Sequence, residues 1–391
     1  MPAIRYFLLP GLVFFFAGTM LANNNPFPKH IQSIIGQQLS AVNTADVDCP
    51  CQEFTRTIDR EFGTTADGMT ALYNKYGKVT VKTWQNNSVK LKISIVVNAK
   101  DQREAERTFD RVKVNFLSTP GYVKAETMIG AINEWFPDRC GYSVNYEIWM
   151  PIANQLDLKN NYGNSWVSTM KGKLIAEIIN GELRTEAIYN NADLNINNGK
   201  VWIARVNNVT GQLNYSTLNI TEANELQIDS KHSDIRVEKG NKLRLTSKYD
   251  DFTFGKVDEL RLQTKYANLK LDNARSAFIT AQYANVDIAT VHQTLDADIS
   301  NGSLDVITLA RNFNDANIRA KYTPVVIGVE NGANFNFDAE ANNADVHYPH
   351  NVTVKSRSDT GEFESVKGYY GDPNTKSSVK VRLNYGDVII K

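Results

Sequence analysis

The 391-residue chain carries 43 Lys plus Arg against 43 Asp plus Glu, and 42% of its residues are hydrophobic. A zero net charge with both signs interspersed excludes the basic stripe of a nucleic-acid footprint and a polybasic membrane-surface domain. The apolar fraction suffices for a packed core, which excludes wholesale disorder.

The opening stretch, MPAIRYFLLPGLVFFFAGTMLANNN, reads as an export signal over residues 1–22. Arg5 precedes an apolar run whose unbroken part, Leu12 to Ala22, is short for a bilayer span and suits a signal-peptide core. An uncleaved anchor is the alternative. Residues 23–45 form a polar leader with one amphipathic stretch, HIQSIIGQQL. No later stretch is long and apolar enough for a transmembrane helix, so the mature protein is expected in the periplasm or at the cell surface. Cys49, Cys51 and Cys140 suit an exported chain with one bridge, from Cys49 or Cys51 to Cys140, and one spare thiol. DCPC lacks the spacing, the second pair and the histidines of a zinc site.

Residues 46–150 are expected to fold as a small α+β capping block. YGKVTVKTW and SVKLKISIVVNA alternate as strands around a turn at Asn86-Asn87. In KDQREAERTFDRVKVNF, Asp101 is placed to cap a short helix with Ala105, Phe109 and Val112 on one face. GYVKAETMI and YSVNYEIWMP read as further strands, and Trp135, Phe136 and Trp149 point to a local core.

From residue 151 to 391 the pattern changes. No proline occurs between Pro151 and Pro324, which fits uninterrupted strand pairing. Turn dipeptides recur at Tyr162-Gly163, Asn180-Gly181, Asn198-Gly199, Tyr215-Ser216, His232-Ser233, Tyr249-Asp250, Tyr266-Ala267, Tyr283-Ala284 and Asn301-Gly302, always 17 or 18 residues apart. The rhythm loosens through Tyr322-Thr323, Asn342-Asn343 and Thr360-Gly361 and returns at Tyr385-Gly386. NKYGKVTV, Asn74 to Val81, is an outlying copy. Apolar residues alternate on both sides of each turn (Leu260, Leu262, then Leu269, Leu271), so each unit holds two short strands and leaves no room for a helix. The fold class expected is all-β: a parallel β-solenoid with narrow two-strand coils of about 17 residues.

NKYGKVTVKTW, then VKLKISIVV, a short helix and repeated L-x-x-KY-x-x-L-x-L units resemble a broad bacterial family of adhesin-type β-solenoid repeat proteins. Their repeats are of the head-GIN-domain type, and they are frequent among exported proteins of Bacteroidota. The resemblance runs from about residue 50 to the C-terminus. It implies an exported β-helical protein and supplies no catalytic residues to carry over.

Tyr215, His232, Tyr249, Tyr266 and Tyr283 occupy one slot of the unit and are expected to form a ladder. Such a ladder either binds a sugar or peptide or simply stabilises the corner by ring packing. Lys231, Lys248 and Lys265 precede it, with acids close by at Asp234, Asp250 and Asp251. DVHYPH gathers Asp345, His347 and His350, which falls short of a supported metal site. Asp296, Asp298 and Asp305, or Asp229 and Asp234, are the carboxylates a glycosidase would draw on, and nothing singles out a pair. G-x-S-x-G, P-loop and dinucleotide fingerprints do not occur. The function expected is therefore a non-enzymatic binding or structural module of the cell envelope, without cofactor or metal, whose partner is a glycan or an envelope protein. The alternatives are a polysaccharide-degrading β-helix enzyme and an accessory component of envelope stress sensing.

Overall fold

The computed structural model describes residues 51–131 and 140–391. The expected signal peptide and leader, together with Cys49, Trp135 and Phe136, lie outside the described residues. The described chain is all-β, with every strand in one mixed sheet and one helix, Gln102–Arg111. Cys51 to Lys391 form one compact unit.

Through the middle of the chain successive units pair in parallel at a constant offset. Leu218 pairs with Ile235 and Ile235 with Phe252; Leu226 pairs with Leu243 and Leu243 with Leu260. Every partner is 17 residues on. Side chains alternate across a strand, so these registers place each apolar residue directly against its equivalents in the neighbouring units. Ile235, Val237, Leu243 and Leu245 of one unit are all buried, and each is worth about 1.5–3 kcal/mol of burial. The polar residues between them, such as Arg236 and Arg244, face solvent.

The corner between the two strands of a unit explains the recurring dipeptide. Among the described residues thirteen other than glycine have positive φ, between 50° and 62°, and they are Tyr76, Tyr162, Asn180, Asn198, Tyr215, His232, Tyr249, Tyr266, Tyr283, Asn301, Tyr322, Asn343 and Tyr385. Asparagine enters this left-handed region readily, whereas another L-residue spends about 1–2 kcal/mol there. The amide at each corner is nonetheless paired: Tyr215 N–H donates to the Lys231 carbonyl and Tyr249 N–H to that of Lys265, both at 2.9 Å. The next residue points inward and is small. At Gly181 a Cβ would stand 2.1 Å from the Gly163 carbonyl oxygen, so nothing larger fits.

The parallel order expected of 151–391 does not hold at its C-terminal end, and the block before it, expected as α+β, mixes antiparallel and parallel pairs with one helix. At the N-terminal end, Gln52–Gly63 pairs antiparallel with Ser88–Ala99, which pairs antiparallel with Tyr142–Pro151. Tyr142–Pro151 is also parallel to Val79–Trp84, so it separates the two strands that the Asn86-Asn87 turn joins in sequence. Val112–Thr119 and Tyr122–Ile129 form a second antiparallel pair. Asp101 caps the helix by accepting the Glu104 amide proton at 2.9 Å, and Ala105 and Phe109 are buried in the core. Val112 is buried too, but as the first residue of the following strand. A disulfide joins Cys51 to Cys140, with Cα atoms 6.3 Å apart.

At the C-terminal end the order in space departs from the order in sequence. Ser378–Asn384 lies between Asp315–Lys321 and Phe335–Asn342, parallel to both. Val388–Ile390 likewise lies between Val325–Val329 and Val346–His347. Phe363–Tyr370 then pairs antiparallel with Phe335–Asn342 and with Thr353–Asp359. Thr360-Gly361 is accordingly the turn of an antiparallel hairpin, with Gly361 at φ 86°, and not a unit corner.

Candidate functional site

Tyr215, His232, Tyr249, Tyr266 and Tyr283 are brought together as a continuous stack. Neighbouring ring centroids are 4.7–4.9 Å apart and the planes are tilted by 8° or less. Two further pairs, Tyr76 with Tyr162 and Tyr322 with Tyr385, stack the same way where tyrosines meet beyond the asparagine corners. Each stacked pair contributes about 0.5–1.5 kcal/mol, which offsets the left-handed backbone beneath it. Both faces of His232, Tyr249 and Tyr266 are covered by neighbours. The ladder therefore presents ring edges and hydroxyls to solvent, and an incoming sugar finds no free ring face in its interior.

The lysines flank this corner on one side, with Lys231, Lys248 and Lys265 in register. On the other side Asp234 stands in register with Asp251. Burial and the neighbouring Asp251 carboxylate push the Asp234 carboxyl above its usual range. Asp250 does not join that exposed pair. It occupies the small inward slot, only 2% exposed, where Ser230 Oγ and the Ser233 amide donate to its carboxylate. Burial raises its pKa to about 6.

Of the carboxylates an enzyme would need, Asp296 and Asp298 meet on one guanidinium, and the rest lie apart from them. Arg319 holds Asp296 at 2.9 Å and Asp298 at 3.4 Å, while Asp305 lies beyond the corner at Asn301. Asp229 and Asp234 fall on either side of the corner at His232. The structure brings Asp345 and His347 together with Asp387, and His350 is not part of that group.

A depression that the sequence reading did not single out lies on the strand after the corner. Trp166, Arg184 and Trp202 pair in register, and Trp202 continues to Asn219, Arg236 and Thr253. These residues line a trough of about 860 Å³. The tryptophans are half-buried, and the Arg184 guanidinium lies 4.4 Å from the centre of the Trp202 ring. A delocalised cation over an indole is favourable, and the same guanidinium pairs with Glu182 at 3.4 Å. Trp166, Arg184 and Trp202 are each four residues past a corner, at Tyr162, Asn180 and Asn198, so the same 18-residue interval carried this signal.

A second groove of about 830 Å³ follows the opposite edge of the units, past Tyr189, Asn207, Asn224, Asn241, Arg275 and His292. Several of its polar groups pair with one another. Asn241 donates to Asn224 at 2.8 Å and Asn224 to Asn207 at 3.4 Å, while Arg205 pairs with Glu222 at 3.0 Å. A ligand there would have to displace bonds already made.

No protein-family model matches the sequence, and no curated protein matches it. Among solved structures the chain is similar to a candidate cell adhesion protein of Clostridium sporogenes, at 8% identity and a TM-score of 0.16 over 86% of this chain and 99% of that one. A candidate adhesin of Bacteroides fragilis matches at 10% identity and a TM-score of 0.20, over 86% and 97%. A candidate lipid-binding protein of Parabacteroides distasonis matches at 12% identity and a TM-score of 0.19, over 87% and 97%. Superpositions this poor assign neither fold nor function to this chain.

Proposed function

We propose that the protein is a non-enzymatic, exported β-solenoid binding module of the cell envelope, and that it takes an extended glycan along the trough at Trp166, Arg184 and Trp202. In this reading residues 46–150 cap a coiled array formed by 151–391. The parallel 17-residue register of the central units supports the coil, and the Cys51–Cys140 disulfide supports export to an oxidising compartment. No helix of the described residues is long and apolar enough to cross a membrane.

The observation that carries the ligand class is the row Trp166, Arg184, Trp202 in an open trough. Sugars offer apolar ring faces and a rim of hydroxyls. Indoles suit the first, Trp202 with the face that Arg184 does not cover, and Asn219 and Arg236 suit the second. Two indoles separated by one strand are about 9.6 Å apart, which favours a chain of sugar units over a single one. The tyrosine stack is a structural spine at the rim of this surface.

The test is a screen of the full chain against immobilised envelope polysaccharides, with a Trp166→Ala/Trp202→Ala double variant and a Tyr249→Ser/Tyr266→Ser/Tyr283→Ser triple variant in parallel. The double variant is expected to lose at least about tenfold in affinity while the triple variant binds as before. Binding that survives the loss of both tryptophans overturns the reading, and loss in the triple variant alone moves the site to the ladder.

A further inference from the structure

We propose that Asp345, His347 and Asp387 form a binding site for a divalent transition-metal ion of the zinc class, which clasps the inserted C-terminal strands to the outer unit. The three come from two chain segments 42 residues apart at their acidic members, and their ligand atoms all lie within 4.8 Å of one another. The fold fixes that meeting. Val346 pairs with Val388 and His347 with Ile389 in parallel, which sets Asp345 beside Asp387. The Asp345 amide donates to Asp387 Oδ1, and the Val388 amide donates to the Asp345 carbonyl, both at 3.0 Å. Glu364, nearly buried, accepts the Val346 amide proton at 2.9 Å and so holds the backbone between the two ligands of that segment.

Charge favours an ion here. Two carboxylates meet an imidazole, while three cationic side chains of this end pair with other acids: Lys367 and Arg382 with Asp338, Arg382 also with Glu340, and Arg357 with Glu364. A cation between Asp345 and Asp387 would remove their mutual repulsion. One imidazole with two carboxylates suits zinc and its neighbours better than calcium or magnesium, which favour oxygen donors alone. Three protein ligands leave a fourth position for water. Ligand atoms around zinc stand about 3.3 Å apart, so the exposed side chains close slightly on the ion by rotation.

The consequence is mechanical. Asp387 belongs to the segment slotted between two units, and Asp345 and His347 to the unit outside it. A shared ion ties the slotted segment in place, in addition to its backbone pairing.

The experiment is calorimetric titration of zinc chloride into the full chain stripped with chelator, together with hydrogen exchange of residues 378–390. One saturable site per chain is expected, with exchange in 378–390 slowed by the ion. His347→Gln and Asp387→Asn are expected to weaken binding by at least about tenfold and to remove that slowing. His350→Gln is expected to bind as the parent does. All three variants replace exposed side chains, and their apo exchange patterns verify the fold. Absence of saturable binding overturns the proposal, as does binding that survives Asp387→Asn. Displacement by calcium at equal concentration overturns the assignment to the zinc class.

Discussion

Replacing Asp250 by asparagine is expected to stabilise the protein above pH 6. The carboxylate sits in a slot that elsewhere in the array holds glycine, serine, alanine or threonine, and it is 2% exposed. Burial raises its pKa from the ordinary 3.8 to about 6, opposed by the donors Ser230 and Ser233 and assisted by the carboxylates of Asp234 and Asp251. The folded protein therefore holds a proton on Asp250 more tightly than the unfolded chain does. The associated stability is fully present below about pH 3.8 and is lost as pH rises through about 6. A shift of that size corresponds to about 3 kcal/mol between the two limits. Asparagine keeps the same shape, accepts the Ser233 amide proton through its oxygen and donates its amide to Ser230 Oγ. It should recover about 1–3 kcal/mol at pH 8. Urea unfolding midpoints of parent and Asp250→Asn, compared at pH 8 and at pH 4.5, read this directly. The variant should lead at pH 8 and the gap should narrow or reverse at pH 4.5. A variant no more stable than the parent at pH 8 would refute the reasoning, and so would a gap that does not change with pH.

Two other outcomes follow from the geometry. Gly181→Ala is expected to cost about 1–3 kcal/mol, because its Cβ would meet the Gly163 carbonyl oxygen at 2.1 Å, and a lowered urea midpoint with unchanged slope would register it. Reducing the Cys51–Cys140 disulfide, which closes a loop of 89 residues, is expected to cost up to roughly 4–5 kcal/mol. Thermal unfolding with and without reductant measures it.

The regular part of the fold was legible because its corners are chemically narrow. A left-handed backbone position at every unit admits asparagine readily, and tyrosine or histidine when a neighbouring ring lies over it, so the same few letters return at a fixed interval. The pairing at Tyr249 and Tyr266 is visible twice, as period and as ring stack. The trough at Trp166 and Trp202 keeps the same interval, but its slot holds Trp, Arg, Trp, Asn, Arg and Thr in successive units, so no single letter recurs there. The parallel order expected of 151–391 failed at the C-terminal end for another reason. Parity and period state that SVKVRLN forms a strand with one buried face, but its sequence is equally compatible with any place in the stack. Which strand it follows is set by long-range closure, and Ser378–Asn384 fits between Asp315–Lys321 and Phe335–Asn342 as well as it would outside them. Likewise Asp387 is 40 residues from His347 in sequence, so the group it forms with Asp345 and His347 has no local signature.

The slotted position of Ser378–Asn384 has a bearing on how the chain reaches this state. An array that simply adds one unit to the last can grow in the order of its sequence, each step burying its own apolar row. Here the row at Phe335, Phe337 and Ala339 finds its neighbour in Val379 and Val381, some forty residues further on. Residues 335–370 consequently have no docked partner to grow upon until the segment after them has arrived and closed a long loop, at an entropic cost that slows the step. The central units can zip up residue by residue, but this end closes all at once.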